Sequence, residues 1–564
     1  MILNDKQKNA VFNLSGNTLV TASPGSGKTR TLVARAEYNL DKLEKHKAIA
    51  LITYTNAGAD EIESRLNINT NIFIGTIHSF CLEFILRPFG WIYKWNRPKI
   101  ISYDLKELFF EENKNIILDR EFGQNKFDEL DKIQKKIDGN LNTEIEWNHE
   151  LTLDFVAEKY YEFQEKNKVI DFNEILYRSY KIVTENEFVS KSLSSKFYEI
   201  LVDEFQDTNL YQYEILKIIN NNGECKFFMV GDERQKIFSF AGAIDNAFHK
   251  AEKDFNSDVK ILTETYRSTD KIVEAYTKLF DDHPEIDNKS ENKNLDLKVH
   301  IIETKKANHK DIINDIVGQF TGKLNFELSE IAILSTSWFS AFPVSKELRL
   351  KYDIVGLGAL PHKYINHSSI NLLKSLSRYL FLPNIRGLRS IKRNIDMHLL
   401  ENDIVYSDKI LINKTNDLIS KIIEMDLNID LENGLLEIKN IFEKIFIFSH
   451  PVFGEILSKI DEDEKSEWTI SKYLKTLAGN DGITSNTIHK VKGLEFDVVI
   501  LNEMNENKIP YQKCISTNPW EYEALNNDGI NEGRNLFYVA TSRAKKHLII
   551  LHNWKPSMFI EIVK

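Results

Sequence analysis

The sequence predicts an α/β fold of two lobes, each a parallel β-sheet flanked by helices, with two mainly helical insertions. Short apolar runs at both ends of the chain, rich in β-branched residues, predict strands that are buried on both faces. These runs are residues 18–22, 48–53, 200–202, 227–230, 331–334, 498–501 and 548–551. A helical pattern follows each run, and this alternation is typical of layered α/β domains.

Length and composition indicate a globular protein with several domains. At about 150 residues per domain, the 564 residues suggest roughly four folded units. Hydrophobic residues make up 42% of the chain, which is enough to bury large cores. Because 73 Lys and Arg stand against 84 Asp and Glu, the net charge is −11, and bulk charge cannot attract nucleic acid. Any nucleic-acid contact must therefore be local.

The cysteines and the N-terminus predict a cytoplasmic protein. Cys81, Cys225 and Cys514 are far apart and follow no metal-ligand spacing, so we expect neither a disulfide framework nor a zinc site. The first ten residues are polar, and no stretch approaches the roughly 18 apolar residues that a membrane span needs. We expect no membrane partner.

Two segments between the strand runs have a helical character. Residues 103–165 are charged and almost free of Gly and Pro, and their apolar residues recur at helical spacing. Residues 361–477 show the same pattern, for example at Ile370 and Leu373. Each segment predicts a helical insertion. The polar, acidic stretch 281–296 predicts a loop that joins a helix to the next strand.

Residues 19–29, LVTASPGSGKT, combine an apolar strand, a loop of small residues and the start of a helix. Gly25 and Gly27 would let backbone N–H groups converge on a phosphate, and the helix N-terminus adds partial positive charge. Lys28 would reach the β- and γ-phosphates, and Thr29 could hold Mg²⁺. The usual G-x-x-x-x-G-K-[ST] motif has glycine where Ala22 stands here. The predicted nucleotide-binding segment is Ala22, Ser23, Pro24, Gly25, Ser26, Gly27, Lys28, Thr29 and Arg30.

Two further strands end in polar residues that suit nucleotide hydrolysis. At the carboxyl edge of a parallel sheet, Asp203 could ligate Mg²⁺ and Glu204 could act as a general base towards water. An exposed acidic turn is the alternative, which the neighbouring phosphate loop disfavours. After the strand that ends at Asp232, the neutral amide of Gln235 could orient water or sense the γ-phosphate.

Further motifs follow one another in a fixed order along the chain. They are LNDKQKNA (3–10), TYTNAGADEIESR (53–65), GTIHSF (75–80), DFNEIL (171–176), VDEFQDTN (202–209), VGDERQKIFSFAGA (230–243), LTETYRS (262–268), TIHKVKGLEFD (487–497) and LFYVATSRA (536–544). Together with the phosphate loop, these motifs resemble those of the UvrD/Rep/PcrA family of superfamily 1 helicases. The resemblance covers nearly the whole chain.

The resemblance implies two RecA-like domains, 1A and 2A, with ATP in the cleft between them. It also implies two insertions, 1B and 2B, of which 2B is reduced. The expected division is 1–84 and 166–258 for domain 1A, 85–165 for 1B, 259–360 and 481–564 for domain 2A, and 361–480 for 2B.

Motif positions also imply roles for single residues. Gln7 and Tyr266 would hold the adenine, and Glu495 would lie on the ribose side. Arg267 and Arg543 would contact the γ-phosphate from the second domain, where a guanidinium stabilises transition-state charge. The implied catalytic residues are Lys28, Glu204, Gln235, Arg267 and Arg543, with Thr29 and Asp203 for Mg²⁺.

The DNA side of the resemblance is carried by two aromatic residues. Tyr54 and Phe240 match family positions that stack on bases, an interaction that tolerates any sequence. Core packing is the alternative for each. The family pattern is broken at Ala57, Lys236, Ala241 and Thr265, all on the DNA or coupling side. We therefore expect ATP hydrolysis to be retained, whereas duplex separation is left open.

Two basic groups have alternative interpretations. The run from Arg87 to Lys99 could form a phosphate-binding wall at the 1A/1B border or a solvated face with buried tryptophans. The same alternatives apply to a second group, Arg386, Arg389, Lys392 and Arg393, in the 2B region.

Two functions fit the resemblance. The first is an ATP- and Mg²⁺-dependent translocase on single-stranded DNA, moving 3′ to 5′. The second is a DNA-binding regulatory ATPase that activates a separate nuclease without processive unwinding. The compact chain resembles the helicase-like B subunits of Gabija-type anti-phage systems, whose partner is an OLD-type nuclease. A nucleotide kinase fits poorly, because Glu204 and the arginines of the second domain suit attack by water.

Overall fold

The computed structural model of the chain contains two parallel six-stranded sheets, each flanked by helices, which confirms the predicted α/β fold. It describes residues 3–13, 16–66, 71–95, 99–101, 103–115, 117, 126–143, 147, 149, 151–238, 242–362, 368–383, 385–401, 404, 406–446, 456–457, 460, 462–465, 467–479, 481–512 and 525–564. Within these ranges, no helix combines the length and the apolar character that a membrane span requires.

The first lobe is built on a sheet with the strand order β3-β2-β6-β7-β1-β8. Its strands are β1 (Thr18–Ala22), β2 (Ala48–Thr53), β3 (Ile72–Thr76), β6 (Phe197–Val202), β7 (Lys226–Gly231) and β8 (Asp258–Leu262), and a separate ribbon pairs β4 (Lys99–Ile100) with β5 (Val169–Ile170). The helices up to the end of this lobe are α1 (Asp5–Phe12), α2 (Lys28–Leu40), α3 (Asn56–Arg65), α4 (Ile77–Cys81), α5 (Tyr103–Glu112), α6 (Lys126–Asp131), α7 (Leu153–Asn167), α8 (Phe172–Glu185), α9 (Glu187–Lys196), α10 (Leu210–Asn221) and α11 (Ala247–Asp254).

The second lobe has the strand order β11-β16-β15-β12-β14-β13. Its strands are β11 (His300–Glu303), β12 (Ile331–Ser335), β13 (Ile354–Val355), β14 (Ile483–Thr487), β15 (Phe496–Leu501) and β16 (Ala544–His552), and β9 (Glu264–Thr265) pairs with β10 (Asp287–Asn288). The helices from here on are α12 (Asp270–Thr277), α13 (His309–Gly322), α14 (Trp338–Leu348), α15 (Ser368–Phe381), α16 (Ile385–Glu401), α17 (Asp408–Ile423), α18 (Leu431–Phe446), α19 (Glu462–Lys465), α20 (Ile470–Ala478), α21 (Asn527–Thr541) and α22 (Met558–Val563).

The central strands are apolar because helices cover both faces of each sheet. Ile200, Leu201 and Val202 in β6 are fully buried, and two different core clusters receive their alternating side chains. Full burial of one such side chain contributes about 1.5–3 kcal/mol. The strand ends that carry Asp203 and Glu204 are thereby held in a fixed position.

Strand β8 crosses the predicted division between the first and second lobes. Strand β8 runs from Asp258 to Leu262 and pairs with β1 in the first sheet. The predicted boundary between residues 258 and 259 therefore falls inside this strand. The predicted loop 281–296 also contains one short strand, Asp287–Asn288, which pairs with Glu264–Thr265.

Each insertion has a core of its own. Helices α5 to α7 pack around Phe109, Tyr160 and Ile133. Helices α15 to α20 pack around Leu435 and Trp468. The insertions therefore form separate helical units attached to the two sheets.

The two sheets repeat one topology. The strands β3-β2-β6-β7-β1 of the first sheet correspond in order to β14-β12-β15-β16-β11 of the second. Thr-Ile-His follows at the end of β3 and again at the end of β14, as residues 76–78 and 487–489. Glu204 after β6 and Glu503 after β15 both adopt left-handed backbone angles, with φ of 50° and 56°.

Candidate functional site

The loop between β1 and α2 has the backbone that phosphate binding requires. Gly25 and Gly27 have φ of 72° and 83°, in the left-handed region where a side chain causes strain. A Cβ atom at Gly27 would lie 2.6 Å from Nε2 of Gln7, so there is also no space for one. Gly27 is the N-cap of α2, which places Lys28 and Thr29 in the first turn of the helix. Ala22 is buried at the end of β1.

The N-terminal helix fixes this loop. Asn4 and Gln7 form a capping box at the start of α1, and Gln7 Nε2 donates a hydrogen bond to the carbonyl oxygen of Ser26 at 2.9 Å. Asn4 Nδ2 donates to the hydroxyl of Tyr266 at 2.9 Å. Gln7 and Tyr266, the residues predicted to hold adenine, therefore lie on one side of the phosphate loop. Arg30 is exposed nearby in α2.

The second lobe touches the phosphate loop directly. Thr265 Oγ1 donates to the carbonyl oxygen of Pro24 at 2.8 Å, and the N–H of Tyr266 donates to the carbonyl oxygen of Gly25 at 3.0 Å. A Cβ atom at Gly25 would lie 2.7 Å from Cβ of Arg267. Thr265, which departs from the family pattern, thus takes part in this contact between the lobes.

Asp203 provides a carboxylate suited to a metal ion. Its Oδ1 is buried and has no hydrogen-bond partner among the described residues. Burial and the neighbouring charge of Glu204 raise the pKa of Asp203, whereas Lys28 opposes this shift. An oxygen ligand without a partner, close to a phosphate loop, is what Mg²⁺ prefers. Thr29 and Asp203 therefore fit the predicted metal site.

Glu204 is held as a carboxylate. Burial would raise the pKa of Glu204, but Lys492 and Lys28 outweigh burial and lower it. Gln206 Nε2 donates to Oε2 of Glu204 at 2.5 Å. The left-handed backbone of Glu204 costs about 1–3 kcal/mol, and strain of this kind persists only where the surrounding structure enforces it. Glu204 is therefore ionised and oriented, as a general base must be.

Lys492 joins the two lobes and received no role from the sequence alone. Its ammonium lies 3.6 Å from Oε2 of Glu204, and it also donates to Asp207 and to the carbonyl oxygen of Gln235, the latter at 2.9 Å. Burial would lower the pKa of Lys492, but the two carboxylates raise it. The sequence signal that could have identified Lys492 is its position between His489 and Gly493 in the motif at residues 487–497.

Gln235 belongs to a buried network at the end of β7. Its Nε2 donates to Oδ2 of Asp232 at 2.8 Å, and the N–H of Asp232 donates to Oε1 of Gln206 at 3.0 Å. Since Gln206 also bonds Glu204, this network connects β6 to β7. It fixes the amide of Gln235 close to the acidic residues.

The two predicted arginines of the second lobe lie close to each other. Arg267 Nε donates to Oε2 of Glu495 at 2.7 Å, and its Nη1 donates to the carbonyl oxygen of Ser542 at 3.0 Å. Arg543 is buried, and burial together with the charge of Arg267 lowers its pKa to about 9. Crowded cations of this kind favour an anion between them. The structure thus brings Arg267, Arg543 and Glu495 together.

The corresponding edge of the second sheet carries different residues. Asn502 stands where the first lobe has Asp203, and its Oδ1 lies 2.6 Å from Nε2 of the buried His309. Nδ1 of His309 lies 2.6 Å from the hydroxyl of Thr304. Thr304 and His309 follow β11, the strand that corresponds to β1, after which the first lobe has its phosphate loop.

One of the two predicted DNA contacts can be located. The ring of Tyr54 stacks on that of Phe238, with centroids 4.5 Å apart and planes inclined by 26°. The ring of His489 lies 6.1 Å from Phe238, so residues of both lobes meet here. Phe240 and Ala241 lie outside the described residues, as does the side chain of Arg386.

The basic run after α4 is packed on one side. Tyr93 stacks on Trp95 at 4.7 Å, and the guanidinium of Arg178 lies 4.8 Å from the ring of Trp95. Trp91 is 64% exposed, so it is not one of the buried tryptophans that the second interpretation requires. Residues 96–98 lie outside the described residues.

The fold and this site define a two-lobed P-loop protein whose candidate nucleotide site lies where the lobes meet. Residues 3–256 match the UvrD/REP helicase N-terminal domain, and residues 260–554 match the UvrD-like helicase C-terminal domain. The chain therefore belongs to the UvrD/Rep helicase family.

Named relatives align over almost the whole chain. The ATP-dependent DNA helicase Rep of Buchnera aphidicola subsp. Schizaphis graminum is 27% identical, with 98% of this chain and 93% of the relative covered. A probable DNA helicase II homologue of Mycoplasma genitalium is 26% identical, with coverage of 100% and 87%. The ATP-dependent DNA helicase PcrA of Bacillus subtilis is 27% identical, with coverage of 99% and 83%.

Proposed function

We propose that this protein is an ATP-dependent translocase and helicase that acts on single-stranded DNA. The observation that carries the proposal is the contact of Lys492, in the second lobe, with Glu204 and Asp207 in the first. Since the candidate general base is paired with a residue of the other lobe, lobe movement and hydrolysis are linked. The names of the relatives, ATP-dependent DNA helicases, support the same activity.

The residues of the site have complementary roles in this proposal. Lys28 and the amides of the phosphate loop bind the β- and γ-phosphates, and Glu204 accepts a proton from the attacking water. Arg267 and Arg543 bring positive charge to the γ-phosphate from the second lobe. Gln235 orients the water. Thr29 and Asp203 would hold Mg²⁺, which neutralises phosphate charge when bound.

DNA binding is proposed on the surface where the lobes meet. Tyr54 follows β2 in the first lobe and lies close to His489 of the second through Phe238. A base stacked on Tyr54 would sense the relative position of the lobes. We propose 3′-to-5′ movement on the basis of family resemblance.

A pair of assays tests this function. Glu204→Gln is expected to abolish steady-state ATP hydrolysis while a fluorescent ATP analogue still binds, because the amide cannot accept the proton. The Lys28→Ala variant is expected to lose both ATP hydrolysis and binding of the analogue. If Glu204→Gln hydrolyses ATP like the wild type, Glu204 is not the general base.

The alternative is a regulatory ATPase that activates a partner nuclease. The alignment with the PcrA relative spans 645 positions, whereas the chain has 564 residues, which agrees with reduced insertions. Under this alternative, the protein would serve in cytoplasmic anti-phage defence with a separate OLD-type nuclease. Strand displacement on a duplex with a 3′ single-stranded tail distinguishes the two. Unwinding by the isolated chain contradicts a purely regulatory role.

A further inference from the structure

Charged side chains connect the second insertion to the first lobe. Nη2 of Arg393, in α16, donates to Oδ1 of Asp60 in α3. Nη1 of Arg389 lies 3.5 Å from Oε1 of Glu63, and Nη1 of Arg393 lies 3.9 Å from Oε2 of the same residue. The two arginine side chains retain 37% and 29% of their exposure, so solutes can reach them. Two guanidinium groups thus meet two carboxylates at a partly open boundary.

Further cations gather around this contact. Burial and the charges of Arg378 and Lys490 together lower the pKa of Lys374, in α15, to about 7, while Asp60 opposes this shift. Lys490 directly follows the Thr-Ile-His segment at the end of β14, next to His489. We refer to Lys374, Arg378, Arg389, Arg393 and Lys490 as the junction cluster.

The junction cluster continues the proposed DNA surface. Helix α3 begins two residues after Tyr54, so Asp60 lies about one turn into the helix that starts there. On the opposite lobe, His489 precedes Lys490 and faces Phe238, the stacking partner of Tyr54. A strand that leaves Tyr54 along α3 would therefore reach the cluster.

The arginines of the cluster are suited to an anion that is larger than a carboxylate. Arg389 and Arg393 pair with Asp60 and Glu63. Arg378 and Lys490 lie close enough to Lys374 for their positive charges to disfavour its charged form. A sugar-phosphate backbone brings one negative charge per nucleotide and is bound by Lys and Arg at close range. Guanidinium groups also match the geometry of phosphate with two parallel hydrogen bonds.

We propose that the junction cluster binds the phosphates of a single DNA strand and that Asp60 and Glu63 occupy its arginines when no strand is present. Helix α3 and the DNA backbone then compete for the same guanidinium groups. Binding of the strand releases α16 from α3, which loosens the second insertion from the first lobe. This inference rests on the proposed function, because it requires that a single strand is bound at Tyr54.

A simpler role would be that Arg389 and Arg393 only fasten the insertion to the first lobe. The two roles predict opposite effects of removing the arginines. A phosphate site loses affinity for DNA when they are removed. If the arginines only attach the insertion to the first lobe, their removal raises the affinity for DNA or leaves it unchanged. Removal of Asp60 and Glu63 would then have the same effect.

The test is the binding of a fluorescein-labelled oligo-dT to the full chain, measured by anisotropy over a range of salt concentrations. We expect Arg389→Ala/Arg393→Ala to weaken binding about 5- to 10-fold at low salt and to reduce the salt slope by about 1.4, or about 0.7 per lost phosphate contact. Asp60→Asn/Glu63→Gln is expected to strengthen binding about 3- to 10-fold, since the competitors are gone.

Matched controls separate charge from folding. Lys421→Ala/Lys439→Ala removes two cations from other helices of the same insertion and is expected to bind like the wild type. Arg389→Lys/Arg393→Lys keeps the charge and is expected to retain most of the salt slope. ATP hydrolysis without DNA, measured for every variant, reports whether the nucleotide site is folded.

Two results would contradict the proposal. If Arg389→Ala/Arg393→Ala binds oligo-dT as tightly as the wild type or more tightly, the arginines are not a phosphate site. If the wild type itself binds no oligo-dT, the proposed function fails and this inference fails with it. If the wild type binds oligo-dT and the variants bind it equally well, the inference fails but the proposed function does not.

Discussion

The ammonium of Lys492 lies 3.6 Å from the carboxylate of Glu204, although the two residues belong to different lobes. Burial raises the pKa of the candidate general base, but Lys492, together with Lys28, Gln206 and Arg543, lowers it and so stabilises the ionised form. Any movement that separates the lobes would remove this stabilisation. The protonation of Glu204 thus depends on closure of the cleft.

Replacement of Lys492 by methionine should shift the pH dependence of ATP hydrolysis. Lys492 lowers the pKa of Glu204, so its loss raises that pKa, and the base becomes protonated at a higher pH than in the wild type. We expect activity to be lost earlier as the pH falls, with kcat about 10-fold or more lower near neutrality. Lys492→Arg, which keeps the charge, should preserve the acid limb. An unchanged acid limb in Lys492→Met would contradict the account.

Replacement of Gly27 by alanine should disable the phosphate loop. The residue has φ of 83°, and the new Cβ would meet Nε2 of Gln7 at 2.6 Å. We expect a loss of ATP binding, because the loop must shift to make room for the Cβ atom. The left-handed backbone would also strain the alanine by about 1–2 kcal/mol. Gly16→Ala is the control, since a Cβ there has nothing within 4 Å. Equal affinities of both variants for a fluorescent ATP analogue would argue against a closely packed loop.

Replacement of Arg35 by alanine should destabilise the first lobe. Its guanidinium is fully buried and pairs with Glu199 at 2.6 Å, and Asn39 donates to the same carboxylate. Removal of one partner leaves an unpaired buried charge, which costs about 3–5 kcal/mol. Urea titration should show a lower midpoint. Lys191→Ala, at an exposed pair with Glu187, should change stability by less than about 1 kcal/mol. Similar midpoints for both variants would show that the buried pair contributes little.

Replacement of Tyr54 by alanine should weaken the binding of single-stranded DNA. Stacking of a base on an aromatic ring contributes about 1–3 kcal/mol, so we expect a loss of affinity of about 5- to 150-fold. Binding of the ATP analogue should be retained. The matched control is Phe12→Ala, which removes a 49% exposed aromatic side chain from α1. Wild-type affinity of Tyr54→Ala for oligo-dT would show that Tyr54 serves only to pack against Phe238.

The sequence predicts best what depends on continuous apolar runs. Strands such as β6 and β15 are buried on both faces, so their last residues, ILV and VVIL, form continuous apolar runs. Strands β8 and β14 escaped prediction because their sequences, DVKIL and ITSNT, contain charged or polar residues. At β8, the side chains of Asp258, Val259 and Ile261 are exposed, so no apolar run forms.

The sequence selects the residues of the candidate site one by one, but it does not specify the contacts among them. Motif positions selected Lys28, Glu204 and Arg543, and the structure places these charges close enough to affect one another. The bond between Lys492 and Asp207 joins residues 285 positions apart, which no local pattern specifies. The same holds for Arg393 and Asp60, because only the packing of the insertion against the first lobe brings them together.

The most direct measurement of the central claim is the rate of ATP hydrolysis by the purified wild-type chain as a function of oligo-dT concentration. If the lobes link DNA binding to the Glu204 site, the rate should rise at least about 10-fold and reach a plateau as the DNA site fills. A rate that is the same with and without oligo-dT, while the oligonucleotide is bound, would contradict the account.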